Sequence, residues 1–143
     1  MKKILSKLSA ILLAVMSIFT IGIASAAAQE IVPYWNHTAT INNTLTINNN
    51  VANVNVTVRA NDDMDRVDIS THLQRYVNGS WQDVKSFYES SNSFYCLMSE
   101  SYSVTKGYKY RISTTVWVYD KTGSNSYYLK ETITNLYHEC NNF

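Results

Sequence analysis

The chain has 143 residues and a formal net charge of +1 at pH 7. This length limits it to about one domain, and the even balance of charge lacks the basic excess of a nucleic-acid-binding protein. One proline, four glycines and eleven tyrosines, among many Thr, Val and Ile, favour strands, because branched and aromatic side chains suit a pleated surface.

The first 28 residues have the pattern of a secretory signal peptide. Three lysines precede an uncharged apolar run over residues 8–23, and small residues follow it, Ala24-Ser25-Ala26-Ala27-Ala28. This ending predicts cleavage after Ala26 or Ala28. The alternative, a retained membrane anchor, needs roughly 20 apolar residues, and this run is shorter. No later segment is apolar enough to span a membrane. The predicted mature domain, 29–143, is secreted; nine basic residues against eleven acidic ones give it a charge of −2, which argues against a nucleic-acid partner.

Both cysteines, Cys96 and Cys140, lie in the predicted exported part. Export favours oxidation, and a disulfide closing this loop would stabilise the fold by about 2–4 kcal/mol. We predict a disulfide between Cys96 and Cys140. The alternative is a buried Cys96 beside a free or intermolecular Cys140 in a loose tail.

Alternation of apolar and polar residues predicts a single antiparallel β-sandwich of about seven strands. The predicted strands cover 40–47, 51–60, the two arms of a hairpin at 66–88, 94–100, the central strand 106–120, and 127–134, between a lead-in at 29–38 and a tail at 136–143. Asn48 to Asn50 is one turn signal. In 94–100 two inner faces are possible, one with Phe94, Cys96 and Met98 and one with Tyr95 and Leu97.

The hairpin at 66–88 has a strong turn signal, Asn78-Gly79. This turn places Tyr76 opposite Trp81 and Leu73 opposite Val84. A slip of one residue would move Val84 to the wrong face. The same parity puts Phe87 on the outer face and His72 opposite Lys85.

The segment 107–112, Gly-Tyr-Lys-Tyr-Arg-Ile, resembles the start of the sixth strand in immunoglobulin-like and fibronectin type III domains, where a tyrosine hydroxyl ties strand to loop. The resemblance implies this role for Tyr110, with Tyr108 as second candidate; the paired cysteines of antibody domains have no counterpart. The mature chain also resembles a group of small exported proteins of Gram-positive, clostridia-like bacteria, over 30–35, 73–86, 102–107 and 110–111 leading into 116–119. It differs at Asn53, where some members carry Cys, and in its cysteine-bearing tail. This resemblance implies the fold and export, and no activity.

Groups for catalysis or metal binding are dispersed along the chain. The histidines are His37, His72 and His138, no serine has a nucleophile-elbow context, and the carboxylates are scattered over turns and strand ends. The acidic run 61–65 lacks the glycine and final glutamate of a calcium loop, and no cysteine–histidine spacing indicates zinc. We therefore predict no enzyme activity, no metal and no other cofactor.

An aromatic surface is the candidate functional site. If the central strand lies beside the hairpin, one outer face carries Arg111, Lys109 and His72 among five rings, those of Tyr76, Trp81, Phe87, Trp117 and Tyr119. Exposed aromatic surfaces often mark binding sites, and flat rings beside polar groups suit sugars and extended peptides. We predict a secreted binding or adhesion module for an extracellular glycan, peptide or protein.

Three alternatives to this prediction remain open. The lead-in or tail, which carry Tyr34, Trp35, Tyr137 and Phe143, could cover the aromatic face. The face could instead join copies of the chain into a structural extracellular subunit. A small secreted hydrolase would require a pocket with convergent acid and base groups.

Overall fold

The computed structural model describes residues 35–122 and 126–140, and within them every regular element is a strand. The seven strands are β1 (Thr38–Asn48), β2 (Val51–Ala60), β3 (Arg66–Val77), β4 (Ser80–Ser91), β5 (Tyr95–Ser103), β6 (Tyr110–Thr122) and β7 (Ser126–Cys140). The predicted signal peptide, 1–28, lies outside the described residues, as do Tyr34 and Phe143. In the described ranges no helix is long and apolar enough to cross a membrane.

Two antiparallel sheets enclose one core. The three-stranded sheet has the order β1-β2-β5, and the four-stranded sheet has the order β4-β3-β6-β7. In β6, buried residues alternate with half-buried ones from Tyr110 to Val118, and Val116 and Val118 lie in the core. The predicted all-β sandwich and the period-two pattern of its central strand are therefore confirmed. The strand begins later than predicted, because Gly107 has a φ of +92° in the turn before it.

Two tight turns set the registers on which the outer faces depend. Asn49 and Asn50 have φ angles of 51° and 64° in the β1–β2 turn, and Asn78 has a φ of 50° in the β3–β4 turn. Positive φ at both central residues belongs to the type I′ turn, whose twist suits a hairpin. Both turn predictions are confirmed, and Tyr76 lies opposite Trp81 as expected.

The Tyr110 hydroxyl ties the start of β6 to the loop before it. It donates a hydrogen bond to the Thr105 carbonyl oxygen (3.0 Å) and accepts one from the Thr105 backbone N–H (3.1 Å). The ring itself is buried in the core. This is the role that the immunoglobulin-like resemblance implied for Tyr110.

Buried polar groups connect β1 to the four-stranded sheet. The Thr114 hydroxyl donates to Asn43 Oδ1 (3.0 Å), so in its 2.9 Å contact with the buried Thr71 hydroxyl it acts as acceptor. Asn43 Nδ2 in turn donates to the Leu136 carbonyl oxygen (2.9 Å). Buried donors and acceptors are costly to leave unpaired, so this chain fixes β7, and with it the outward direction of Tyr137, the next residue.

The predicted disulfide is wrong, because the two cysteines lie at opposite ends of the sandwich. Both thiols are free. Cys96 lies opposite Val58, near the start of β5. Cys140 lies opposite Tyr110. The Tyr110 hydroxyl bonds to Thr105, just beyond the other end of β5, so Cys140 lies near that end. Seven residues of strand, about 23 Å, separate Cys96 from that end, and disulfide-bonded Cα atoms are at most about 7 Å apart.

The inner face of β5 is the one that carries Cys96 and Met98, which are buried, while Tyr95 and Leu97 are exposed. Burial raises the pKa of the Cys96 thiol to about 11, with a smaller contribution from the nearby Glu89 and Asp68 carboxylates. The thiol is therefore neutral and poorly reactive at physiological pH. Cys140 ends a regular strand rather than a loose tail.

Candidate functional site

The outer face of the four-stranded sheet carries an arginine held between aromatic rings. The guanidinium carbon of Arg111 lies 4.4 Å from the Trp81 ring centroid and 4.3 Å from that of Tyr137. Tyr76 extends the row, with its ring centroid 5.1 Å from that of Trp81 and the two planes tilted by 58°. We call Tyr76, Trp81, Arg111 and Tyr137 the Arg111 stack. Each comes from a different strand, so the stack crosses the whole sheet.

Hydrogen bonds fix the guanidinium within this stack. Arg111 lies opposite Gln74 in the β3–β6 ladder, and its Nε donates to Gln74 Oε1 (2.7 Å). Gln74 Nε2 donates to Asp83 Oδ1 (2.7 Å). Within the described part of the chain, no carboxylate forms a direct ion pair with Arg111, although Glu139 lies opposite it in the β6–β7 ladder, so the guanidinium is held in place without a salt bridge.

Phe87 does not belong to this face, and the prediction that placed it there is wrong. The β3–β4 ladder contains a bulge: Leu73 lies opposite Lys85 and Gln74 opposite Asp83, so Val84 has no partner of its own. The extra residue reverses the parity of β4 beyond the bulge. Phe87 therefore lies opposite Thr71 and is only 8% exposed, within the core.

A second arginine lies among aromatic rings at the other end of the same face. The Arg66 guanidinium carbon is 5.8 Å from the Tyr119 ring centroid and 5.4 Å from that of Tyr127. Its Nε and Nη2 donate to the two Asp68 carboxylate oxygens at 2.8 and 3.1 Å. The Ser90 hydroxyl also donates to Asp68 (2.7 Å). We call Arg66, Asp68, Tyr119 and Tyr127 the Arg66 stack.

The electrostatics of the Arg66 stack are those of a closed ion pair. Burial of Asp68 opposes its ionisation, but hydrogen bonds from Arg66, Ser90 and Tyr88 outweigh this and hold its pKa below the usual value. The Asp68 carboxylate raises the pKa of Arg66 further. Burial, and then the Asp68 charge, raise the pKa of Tyr119.

The structure therefore divides the predicted aromatic site into two. Tyr76, Trp81 and Arg111 meet in one stack, and Tyr119 belongs to the other. Trp117 lies outward and half-buried, opposite Asp68 on one side and Thr132 on the other. Of the other polar residues expected among the rings, His72 lies on the face, while Lys109 precedes β6 and its carbonyl accepts the Tyr76 N–H.

Two residues that contact Arg111, Tyr137 and Gln74, were not predicted as site residues from the sequence. Tyr137 was assigned to a tail that could cover the face, and its ring does lie on Arg111; Trp35, by contrast, packs against the core. Asn135, with a φ of 60°, marks the irregularity in β7 that sets the direction of Tyr137, and an asparagine in a strand pattern was the available signal.

His72, Asp83 and Ser86 resemble a catalytic triad in composition but not in geometry. Asp83 Oδ2 and the Ser86 hydroxyl both lie 3.0 Å from the same imidazole nitrogen, Nδ1. A proton relay needs the carboxylate on one ring nitrogen and the nucleophile on the other. His72 faces Ser86 rather than Lys85, as the bulge requires.

Carboxylates of the acidic turn point to different partners. Asp62 pairs with Arg59 (3.2 Å), and Asp65 accepts a hydrogen bond from the Lys121 N–H (3.0 Å). In residues 35–122 and 126–140 there is no group of three or more His, Cys, Asp or Glu side chains arranged to hold a metal. No protein-family model, curated protein or solved structure matches this chain.

Proposed function

We propose that the protein is an exported, non-enzymatic binding module that holds a carboxylate-bearing glycan on the Arg111 stack. The observation that carries this proposal is a guanidinium fixed between Trp81 and Tyr137 with no carboxylate partner among the described residues. Arginine presents its donors as a planar fork that matches a carboxylate. A guanidinium already oriented by two rings loses little freedom on binding.

The stack favours an anionic group over a neutral sugar ring. Trp81 and Tyr137 each turn one ring face to Arg111, so these two faces are not open for a sugar to stack on. Arg111 Nε donates to Gln74 and the Tyr137 hydroxyl donates to Asn135 (2.9 Å). The remaining recognition groups are the two Nη groups of Arg111, the Tyr76 hydroxyl and the outer side of the half-exposed Tyr76 and Tyr137 rings. A uronic-acid unit would bring both a carboxylate for Arg111 and hydroxyls for the neighbouring polar groups.

The polar groups around the stack support binding rather than catalysis. Asp83 is occupied by Gln74 and His72, and Ser86 shares its histidine nitrogen with that carboxylate. General acid–base catalysis needs a group free to take or give a proton at the reacting atom. These side chains instead hold one another in fixed positions.

Titration with an acidic oligosaccharide and its neutral counterpart tests the proposal. We expect oligogalacturonate to bind and its fully methyl-esterified form, of the same length, to bind at least about tenfold more weakly, a difference of ~1.4 kcal/mol. Calorimetry measures the affinity, and the fluorescence of a Trp35→Phe, Trp117→Phe variant, which keeps Trp81 as its one tryptophan, reports on Trp81.

Variants of the two sheet faces provide the control. Trp81→Ala and Arg111→Met should each weaken binding by about tenfold or more, while Leu97→Ala, on the outer face of the three-stranded sheet, should leave it unchanged. Equal binding of the esterified sugar, or full affinity in the Trp81→Ala, Arg111→Met double variant, would contradict the proposal. Concentration-dependent sedimentation that disappears in this double variant, with no glycan binding by the parent protein, would identify a self-assembly surface instead.

A further inference from the structure

A second arginine without a carboxylate partner points between the sheets. Inward-facing residues of β3 follow one parity, with Val67, Ile69, Thr71 and Leu73 all buried. Arg75 continues this series at the end of the strand, opposite the buried Tyr110. A guanidinium thus occupies an inner position at the end of the sandwich, where an apolar side chain would otherwise close the core.

Among the described residues, only Arg75 has a buried polar side-chain atom without a hydrogen-bond partner. Its guanidinium carbon lies 4.6 Å from the Tyr108 ring centroid, but its Nε is buried and has no hydrogen-bond partner. The other arginines have side-chain partners: Arg59 and Arg66 pair with carboxylates, and Arg111 donates to Gln74. Buried unsatisfied donors are rare in native proteins, and each calls for an explanation.

A cavity of about 140 Å³ adjoins this guanidinium and is partly open to solvent. Arg75 is the charged group in its wall, and the remaining lining includes Val84, Val104, Tyr102 and Tyr110. Val84 lies at the bulge in β4, and bulges are over-represented next to functional sites.

The rest of the cavity wall is fixed by hydrogen bonds and carries no negative charge that would repel an anion. The Thr105 N–H and carbonyl oxygen are both engaged by the Tyr110 hydroxyl, so this side of the cavity is fixed. No carboxylate lines the cavity, and Lys106 and Lys109 flank Tyr108 in the adjoining turn. An apolar cavity of roughly 150 Å³ can hold a molecule the size of benzene, so there is room for a carboxylate with a short apolar tail.

We propose that this cavity binds a small carboxylate, with the carboxyl group on Arg75 and a short hydrocarbon tail against Val84 and Val104. The guanidinium offers two parallel N–H donors to a carboxylate, and the valines offer apolar contact to the tail. Free short-chain acids and the carboxyl end of a peptide share this chemistry. The site is distinct from the Arg111 stack, which lies on the outer face of the same sheet.

Nuclear magnetic resonance of the purified protein with sodium butyrate tests this proposal. We expect a saturable shift of the Arg75 Nε–H resonance together with the Val84 and Val104 methyl resonances. Butyramide, which has the same size without the charge, should produce no such shift. N-acetyl-glycyl-valine distinguishes the sources: tighter binding than butyrate identifies a peptide end, and weaker binding identifies a free acid.

Three variants make the test specific. Arg75→Met should weaken butyrate binding by at least about tenfold, and Arg75→Lys, which keeps the charge but loses the planar fork, should weaken it several-fold. Arg111→Met should leave butyrate binding unchanged although it should weaken glycan binding on the outer face by about tenfold or more, so the two proposals fail independently. The melting temperature of Arg75→Lys shows that loss of binding is not loss of the fold.

Three results would overturn the carboxylate site. One is the absence of a saturable shift up to about 100 mM butyrate, a hundredfold above a Kd of 1 mM. Another is an equal response to butyramide. The third is magnetisation transfer from a long-lived water to Arg75 Nε–H that butyrate does not displace, because the cavity would then hold water as the missing partner.

Discussion

Two arginines on the outer face of one sheet lie among aromatic rings and differ in what else they touch. Arg66 lies 5.4 and 5.8 Å from its two rings and makes a bidentate contact with Asp68. Arg111 lies closer to its rings, at 4.3 and 4.4 Å, and its Nε meets the neutral oxygen of Gln74. Arg66 has a carboxylate within hydrogen-bond distance, whereas Arg111 has a neutral amide oxygen in that position.

The difference separates a structural arginine from one available to a ligand. Arg66 has the partners that a partly buried charge needs, so its environment is explained by the fold alone. The same explanation does not cover Arg111, since rings hold a guanidinium in place without cancelling its charge. Variants of these residues can give one stack the partners of the other, or can measure how much each stack contributes to the stability of the fold.

Removal of the Asp68 carboxylate should have the largest effect. In Asp68→Ala, Arg66 loses both hydrogen bonds at a site where Asp68 is only 5% exposed, and we expect unfolding free energy to fall by about 2–3 kcal/mol. Asp62→Ala removes the other Arg–Asp pair, whose aspartate side chain is 76% exposed, and should change stability by less than about 0.5 kcal/mol. Urea unfolding of both variants measures the contrast, and equal losses would show that the Arg66 stack is not a structural ion pair.

A carboxylate placed opposite Arg111 should form an ion pair with it and compete with an anionic ligand. The double variant Gln74→Glu, Asp83→Asn conserves net charge and the hydrogen bond between positions 74 and 83, but it gives Arg111 an ionised acceptor. We expect affinity for oligogalacturonate to fall by about tenfold, ~1.4 kcal/mol, with stability unchanged or slightly raised. Asp83→Asn alone is the control and should retain binding. Full affinity in the double variant would mean that the Arg111 charge is not what the ligand contacts.

Most of the fold could be predicted from the sequence, because period two and turn chemistry are local signals. Asn78-Gly79 determined the pairing of Tyr76 with Trp81, and the alternation from Tyr110 to Val118 determined which side of β6 is buried. Phe87 shows where such reasoning fails. A bulge changes parity without changing composition, and Val84 gives no sign that it has no partner of its own.

The candidate site was predictable only where it depends on a single hairpin. The pairing of Arg111 with Gln74 needs the β3–β6 register, and the contact with Tyr137 needs the β6–β7 register and its irregularity near Asn135. These ladders join residues 37 and 26 positions apart along the chain, beyond the reach of any local pattern. The disulfide prediction failed for the same reason, since spacing along the chain does not reveal which end of a sandwich a cysteine occupies.

Acid should weaken the Arg66 stack, because its ion pair depends on the charge of the Asp68 carboxylate. The pKa of Asp68 is lowered in the folded protein, so the unfolded chain binds more protons and stability rises with pH. The contribution of Asp68 is present above the unfolded value of about 3.9 and is lost as the pH falls through the folded value. The loss should be smaller than in Asp68→Ala, because a protonated acid still fills the site.

Urea unfolding midpoints from about pH 6 down to pH 2 measure this dependence. The stability difference between the parent protein and Asp68→Asn should narrow over the acid range, while Asp62→Asn should follow the parent curve. A constant difference between the parent and Asp68→Asn at every pH would mean that the Asp68 charge contributes nothing to folding.

The smallest expected effect concerns the coupling between Tyr76 and Trp81. A double-mutant cycle with alanine at both positions should give a coupling of about 0.5–1 kcal/mol, the usual size for a cross-strand aromatic pair. Thr57 and Leu97, which lie opposite each other on the outer face of the three-stranded sheet, should couple by about 0.2 kcal/mol or less. A coupling above about 2 kcal/mol in the aromatic pair would make the rings part of what holds the sheet together.

A small coupling has a consequence for function, because the other sheet shows what a solvated face of this sandwich requires. Its rows consist largely of uncharged polar residues, such as Thr44, Asn55 and Ser99 across β1, β2 and β5, and they form the same kind of backbone ladder. A solvated face of this sandwich can therefore form its backbone ladder without a row of aromatic rings. If their mutual contact contributes little to stability, their place beside Arg111, which has no direct ion pair among the described residues, is best explained by what that face binds.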